Sequence, residues 1–412
     1  MNTSSRTSGF AADKLAKIPT ELQRFVDDRD LSGFVTLIWR RGSIAQIDTL
    51  GWRDIERKQP MQRDTLFRIA SMTKPVTSVA AMMLIEEGKL ALDAPIKRWL
   101  PEFANVRVLK DPQGSLDQTV APHRDITVED LFTHRAGLAY AFTSMGPIAK
   151  AYEQALPPGL AEEPWLSALG RLPLSFQPGE RFHYSHATDV LGFLIGRIAG
   201  KPIRDVLRER IFGPLAMNDT DFYTPRESCH RAAVVYRPDP NTQRLAPVPF
   251  PEHDSPPAFC SGGGGLTSTA DDYLKFARML LGGGAVDGVR LLRDDTVAMM
   301  ARNRLTDAQR AIPFMGIPFW GGQGFGLGLS VITDPEKQAW MGLGSKGAFG
   351  WPGAFGTWWQ ADPALDMVLI YLIQNSLPLG PEMASQLATG QRLGARAALP
   401  HFQRLVHSAL AD

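Results

Sequence analysis

Cysteine is scarce. Cys229 and Cys260 are the only two in 412 residues, and they form no C-x-x-C. One pair cannot make a disulfide scaffold, and two free thiols fit a reducing compartment. An excess of either charge is also missing. Lys and Arg number 44 against 43 Asp and Glu, and no basic tract stands out. That removes the electrostatic footprint of a nucleic-acid binder. Long apolar runs are absent: the longest, "VAAMMLI" at 79–85, falls far short of the roughly 20 residues that span a bilayer. The opening "MNTSSRTSGFAADKLAKI" has no apolar h-region, so no secretory signal is read there, and the default address is the cytoplasm. Internal repeats are lacking too.

What is present is a globular composition, 44% hydrophobic and 21% charged. The length suggests about two to three domain-sized units with a large core. Leu15, Ile18, Leu22 and Phe25 recur at helical steps and predict a helix over 12–29. "GFVTLIWRRG" and "IAQIDTLGW" predict two strands joined at Arg41-Gly42-Ser43. Segment 71–88 reads as a helix with one buried face, carried by Val79, Met82, Met83 and Glu86. Thr127, with Asp130 three residues on, predicts a helix N-cap. "ATDVLGFLIGRIAG" predicts a helix closed by Gly200, and "STADDYLKFARMLLGGG" predicts another. From Gly324 the pattern turns to strands, "FGLGLSVI", "KGAFGWPG", "FGTWWQAD" and "DMVLIYLI", before a helical tail over 380–410. Strand signals at both ends and helices between them predict an α+β chain. Segments 1–90 and 285–412 would form one sheet domain, with a mostly helical domain, 91–284, inserted.

Within "FRIASMTKPVTSVAAMMLIEEGKL", Ser71 and Lys74 lie three residues apart at a helix start, so they share a face. Pro75 is tolerated only near that start. There the Ser71 N–H has no helical partner and the local field favours an anion. A hydroxyl, a nearby amine and an oxyanion donor are the parts of an acyl-transfer site. The lysine would have to be partly neutral to act as a base. S-x-x-K alone is a weak signal, because a surface cap serine beside an exposed lysine looks the same. The apolar flanks "LFRIA" and "VAAMMLI" place this helix start against the core. Other chemistries find less support. The elbow G-x-S-x-G is absent; the nearest stretch, "GLGSKG", has Leu343 where the first glycine should be. His183 and His186 lack the spacing and glutamate of a zinc protease, so no metal site is expected. "GGGG" at 262–265 lacks the Lys and Ser/Thr of a phosphate loop. Trp351, Trp358 and Trp359 read as core or cleft wall.

The chain resembles the serine β-lactamase-like superfamily, which includes class C β-lactamases, D,D-peptidases and family VIII carboxylesterases. The similarity rests on five stretches in order: "LFRIASMTKPVTSVAAMMLIEEGKLALDAPIKRWLPEF", "ITVEDLFTHRAGLAY", "FQPGERFHYSHATDVLGFLIGRIAGKPIRDVLRERIFGPLAM", "SGGGGLTSTADDYLKFARMLL" and "GAFGWPGAFGTWWQADP". The resemblance implies an antiparallel sheet flanked by helices, with the active site between the sheet and the inserted domain. It implies Ser71 as nucleophile, Lys74 as its amine, and Tyr184 as the phenol that shares proton transfer. Where β-lactamases carry K-T-G, this chain has Trp351-Pro352-Gly353, as in family VIII esterases. The Ser71 and Ala354 N–H groups match the oxyanion donors, and Gly353 would let substrate approach. His186 replaces the asparagine of Y-x-N; it could bond Lys74 or the acyl group, or point elsewhere. Tyr140 matches a cleft aromatic, with plain packing as the alternative. The implied activity is a carboxylesterase acting on small neutral esters without cofactor or metal. Amidase, acyltransferase and non-catalytic binding readings stand beside it. Nucleic acid and membranes are not expected partners, and the oligomeric state is open.

Overall fold

Every residue from Gly33 to Arg40 is buried. Such a run needs apolar cover on both faces, and the period of two decides which side chain meets which cover. The computed structural model, which describes residues 8–239, 242, 244–250, 254–337, 343–376 and 394–411, supplies both covers. Phe34 and Ile38 of this strand, β1, join Leu369, Tyr371 and Ile373 under Ile18, Leu22 and Phe25 of helix α1 (Lys17–Asp27) and Phe402 and Val406 of the C-terminal helix Ala395–Ser408. Val35, Leu37 and Trp39 face the other way, into the core that holds Tyr273, Phe276 and Trp359.

Among the described residues the sheet has eight strands. β1 is flanked by β2 (Ser43–Asp54), and then by β3 (Gln59–Pro60) at the edge. On its other side lies Met367–Ile373, followed outward by Trp358–Asp362, Phe349–Gly350, Ser330–Ile332 and Gln323–Phe325. All neighbours are antiparallel. The two ends of the chain therefore build one sheet, as the strand signals predict.

The middle segment is helical but also carries short ladders, Val108–Leu109 with Thr119–Val120 and Tyr236–Pro238 with Leu245–Pro247. Thr127 caps Val128–Phe132 in a reciprocal box with Asp130. Gly200 closes Ala187–Ala199 in the left-handed conformation at φ 68°. Thr269 caps Ala270–Leu281.

Several boundaries differ from the sequence pattern. The 12–29 helix is split into Ala12–Leu15 and Lys17–Asp27. Pro19, with no N–H, cannot bond the Leu15 carbonyl, so the ladder breaks there. "FGLGLSVI" is a hairpin corner and not one strand, because Gly328 turns at φ 86° and the Gly326 N–H donates to the Leu329 carbonyl at 2.8 Å. The helix after Ser71, α2 (Thr73–Glu86), is buried from Thr73 to Leu84 on every side. A one-sided stripe understates it; such a helix is core. Part of the predicted C-terminal helix, 380–393, lies outside the described residues. Cys229 and Cys260 form no disulfide in the structure. Among the described residues no helix is long and apolar enough to cross a membrane.

One side chain ties the sheet to the segment before Ser71. Gln374, just past the innermost C-terminal strand and fully buried, accepts from the Arg68 N–H through Oε1 at 2.8 Å and donates to the Arg68 carbonyl through Nε2 at 3.4 Å. Its amide stands in for a missing strand neighbour. Gln374→Ala removes both of these buried bonds and should lower stability by about 1–3 kcal/mol in urea unfolding; no change in the midpoint would remove this clamp from the description.

Candidate active site

The strand β4 (Phe67–Arg68) pairs with Thr267–Ser268, and the Ile69 N–H donates to the Leu266 carbonyl at 3.0 Å. This ladder brings the glycine segment 262–265 beside Ser71. Ala70 then turns the chain at φ 46°, a left-handed conformation that costs a non-glycine residue about 1–3 kcal/mol. A short 3-10 turn, Ala70–Met72, carries Ser71 ahead of the α-helix proper. The Tyr273 hydroxyl donates to the Met72 carbonyl at 2.8 Å, and Thr73 Oγ1 accepts from the Leu266 N–H at 3.2 Å. These bonds hold the turn in its strained conformation.

Three predicted residues meet there. The Tyr184 hydroxyl donates to Ser71 Oγ at 2.7 Å, and Lys74 Nζ donates to the same oxygen at 3.2 Å. Lys74 is 1% exposed, which excludes the surface-lysine alternative. Nζ also donates to the Tyr140 hydroxyl at 3.2 Å and to the Gly263 carbonyl at 2.6 Å. Three acceptors match the three donors of an ammonium group.

Tyr184 is enclosed as well. Its hydroxyl accepts from the Trp351 indole N–H at 3.1 Å. Its ring lies 4.6 Å from the His134 ring, 5.4 Å from Tyr140 and 5.7 Å from Phe314. Phe182, Phe319, Trp320 and Phe325 complete an apolar wall around Tyr184 and Trp351. His134 is fully buried; burial, with the Lys74 charge behind it, pushes its pKa well below the ordinary value. Its neutral imidazole accepts from the Ser185 N–H through Nδ1 at 3.3 Å. For Tyr140, burial and then the charges of Asp189 and Tyr184 push the phenol well above its ordinary pKa, so it keeps its proton.

His186 bonds neither Lys74 nor Ser71 in this structure and lies against Asp189. Nδ1 lies 2.9 Å from Asp189 Oδ2, and its ring abuts Tyr140 at 4.2 Å and Trp165 at 5.1 Å. Gly353 is hemmed in: a Cβ would fall 2.2 Å from Thr357 Oγ1 and 2.3 Å from the Ile69 carbonyl. Its N–H donates to the Thr357 carbonyl at 2.7 Å, and Thr357 Oγ1 donates to the Ile69 carbonyl at 3.2 Å. The strand loop carrying Ala354 is thereby laid against the seat of Ser71. The N–H groups of Ser71 and Ala354 have no protein partner among the described residues. H-x-x-H is divided: His183 Nε2 sits 3.5 Å from Thr143 Oγ1, with its pKa lowered to about 4 by burial and by Arg181, while His186 serves Asp189.

The site also uses residues that motif reading passed over. Asp189, His134 and the Gly263 carbonyl all touch the cluster or its partners. Asp189 left a trace, an acid inside the apolar stretch "ATDVLGFLIG". A carboxylate there has to be paired. His134 and Gly263 left none.

The pattern of the Beta-lactamase family matches residues 19–389. The chain belongs to that family. It is 52% identical over 382 residues to Protein Rv1367c of Mycobacterium tuberculosis, covering 92% of this chain and 95% of the relative. It is 31% identical over 391 residues to Esterase EstB of Burkholderia gladioli, covering 89% and 92%. Among solved structures, EstCE1, described as a hydrolase with promiscuous acyltransferase activity, superposes with a TM-score of 0.74 at 28% identity, over 94% of this chain and 98% of that one. The fold is the β-lactamase-like α+β architecture, and the chain is a serine hydrolase of this family.

The crowding at Gly353 gives a direct test of the geometry. Gly353→Ala must displace Thr357 or the Ile69 peptide, and such overpacking should cost about 1–3 kcal/mol in denaturant unfolding. An unchanged midpoint would show that the loop and the Ser71 seat are not in contact.

Proposed function

We propose that this serine hydrolase is a carboxylesterase for small neutral esters, working through an acyl-enzyme on Ser71. The observation that carries the reading is the indole of Trp351, donating to Tyr184 at the position where β-lactamases place a lysine. A neutral, buried donor steadies the phenol oxygen but offers no charge to a substrate carboxylate. The aromatic wall beside it favours apolar groups.

In the first step Ser71 Oγ attacks the ester carbonyl carbon. Its proton passes across the 2.7 Å contact to Tyr184 acting as the phenolate, the phenol's own proton having been handed to the Lys74 amine, which holds it as ammonium through the step. The Ser71 and Ala354 N–H groups receive the oxyanion. The C–O bond to the alcohol breaks, and Tyr184 returns the proton to the leaving oxygen. Water then enters, gives its proton to the same phenol oxygen, and releases the acid with Ser71 restored. An alcohol in place of water would give a new ester by the same steps. The name of EstCE1 supports that second reading, acyl transfer, and Esterase EstB supports the first.

Turnover of p-nitrophenyl butyrate against a chromogenic cephalosporin separates the classes. The ester should be strongly preferred, and added alcohol should divert part of the acyl group. Ser71→Ala should abolish turnover, and Tyr184→Phe should reduce kcat by about 10²–10⁴-fold. A preference for the cephalosporin, or an active Ser71→Ala variant, would overturn the proposal.

A further inference from the structure

Asp189 has no role in the steps above, yet it is the buried acid that lies nearest to them. It sits in the first turn of Ala187–Ala199, 3% exposed, and receives three donors. The Ser261 hydroxyl donates to Oδ1 at 2.6 Å, the Gly263 N–H donates to Oδ1 at 2.9 Å, and His186 Nδ1 lies 2.9 Å from Oδ2. The Gly263 residue thus bonds on two sides. Its N–H is held by Asp189, and its carbonyl receives Lys74 Nζ at 2.6 Å, the shortest of the lysine's three contacts. Space enforces the arrangement: a Cβ at Gly263 would fall 2.9 Å from both carboxylate oxygens.

We infer that Asp189 is a positioning residue for the reaction, fixing Lys74 through Gly263 and supplying the buried negative charge that balances the lysine beneath Ser71. The inference rests on the hydrolase reading proposed above. Two physical effects combine. Carboxylate oxygens bonded to a backbone N–H lock that stretch of chain, so the carbonyl acceptor of Lys74 stays in place. A buried carboxylate one residue removed from a buried amine also supplies a counter-charge in a low-dielectric interior, where an unbalanced charge is costly. Burial alone would raise the Asp189 pKa; the bond and charge of His186, the charge of Lys74 and the Ser261 bond outweigh it and keep the carboxyl below the ordinary range, hence ionised.

The other charged and titratable groups around Asp189 are few. On the cleft side they are Lys74, His186 and the Tyr140 phenol. On the far side Asp189 borders a cavity of about 280 Å³ whose charged lining is Glu162, Glu163, Arg197 and Lys201. Arg197 is paired with Glu102 and Glu163, and Lys201 with Glu209. Glu162, whose pKa is raised by burial, accepts from the Cys260 N–H at 3.4 Å. None of these is hydrogen-bonded to the Gly263 peptide.

The test is the pH profile of kcat/KM for p-nitrophenyl butyrate with the parent enzyme, Asp189→Asn, Asp189→Glu and Gly263→Ala. Asp189→Asn removes the charge but keeps the size. Its kcat should fall by about 10–100-fold with KM within about threefold, and its acid limb should move to lower pH, because the protonated pair loses a counter-charge. Asp189→Glu restores the charge and should return the acid limb toward the parent position. Gly263→Ala keeps the charge but crowds the carboxylate and disturbs the peptide, so its kcat should fall with the acid limb moved less than in Asp189→Asn. A drop in kcat for Asp189→Asn with an unmoved limb would mark a packing defect and overturn the inference. If that variant does not fold, Gly263→Ala decides, and an unchanged kcat there would overturn it equally. A parent enzyme without ester turnover sinks the hydrolase reading and this inference together; an active parent with an indifferent Asp189 sinks the inference alone.

Discussion

The 2.7 Å contact between Tyr184 and Ser71 joins residues 113 positions apart, and much of the fold serves to keep it. Ser71 is held from behind by a two-residue ladder to Thr267–Ser268, by the Gln374 amide on Arg68, and by a helix buried on all sides. Tyr184 is held by Trp351, His134 and the aromatic wall. The left-handed Ala70 between ladder and helix is the strained joint. Its cost of about 1–3 kcal/mol is comparable to one or two buried hydrogen bonds, and the Tyr273 and Thr73 bonds at the C-terminal end of the turn are of that number. The strain is therefore sustained locally, at the point where it aims the hydroxyl.

The electrostatic design around this contact is unusually short of exposed charge. Lys74 is buried with three oxygen acceptors, and its nearest buried acid, Asp189, is separated from it by one glycine. Tyr184 is steadied by an indole and not by a cation. Charge is thus kept beneath the nucleophile and away from the cleft wall. That partition is what a site for neutral acyl groups needs, since any charge in the wall would have to be desolvated each time an apolar group entered.

Much of this could be read before the structure. The apolar runs "GFVTLIWR" and "DMVLIYLI" pointed to the central strands, and the Thr127 cap, the closing Gly200 and the glycines after Leu281 pointed to Val128–Phe132, Ala187–Ala199 and Ala270–Leu281. Ser71, Lys74 and Tyr184 stood out because acyl-transfer chemistry needs particular residue types in a particular order, and the fold brings the three side chains together. What stayed hidden was determined by contacts between distant segments. Nothing local says that the Gly263 carbonyl will cap a lysine 189 residues away. Nor could spacing choose the partner of His186, because Asp189 becomes a buried acceptor only when the glycine segment folds over it. Pro19 and Gly328 did carry local signals that end elements early, and periodicity alone overran both.

The central claim of the proposal is that one hydroxyl, Ser71, seated between the buried Lys74 amine and the indole-bonded phenol of Tyr184, is the side chain that becomes acylated. Brief exposure of the full chain to a fluorophosphonate, followed by intact mass and peptide mapping, tests it most directly. The result predicted is a single adduct on the peptide containing Ser71. An adduct on a different residue, or none while ester turnover persists, would contradict it.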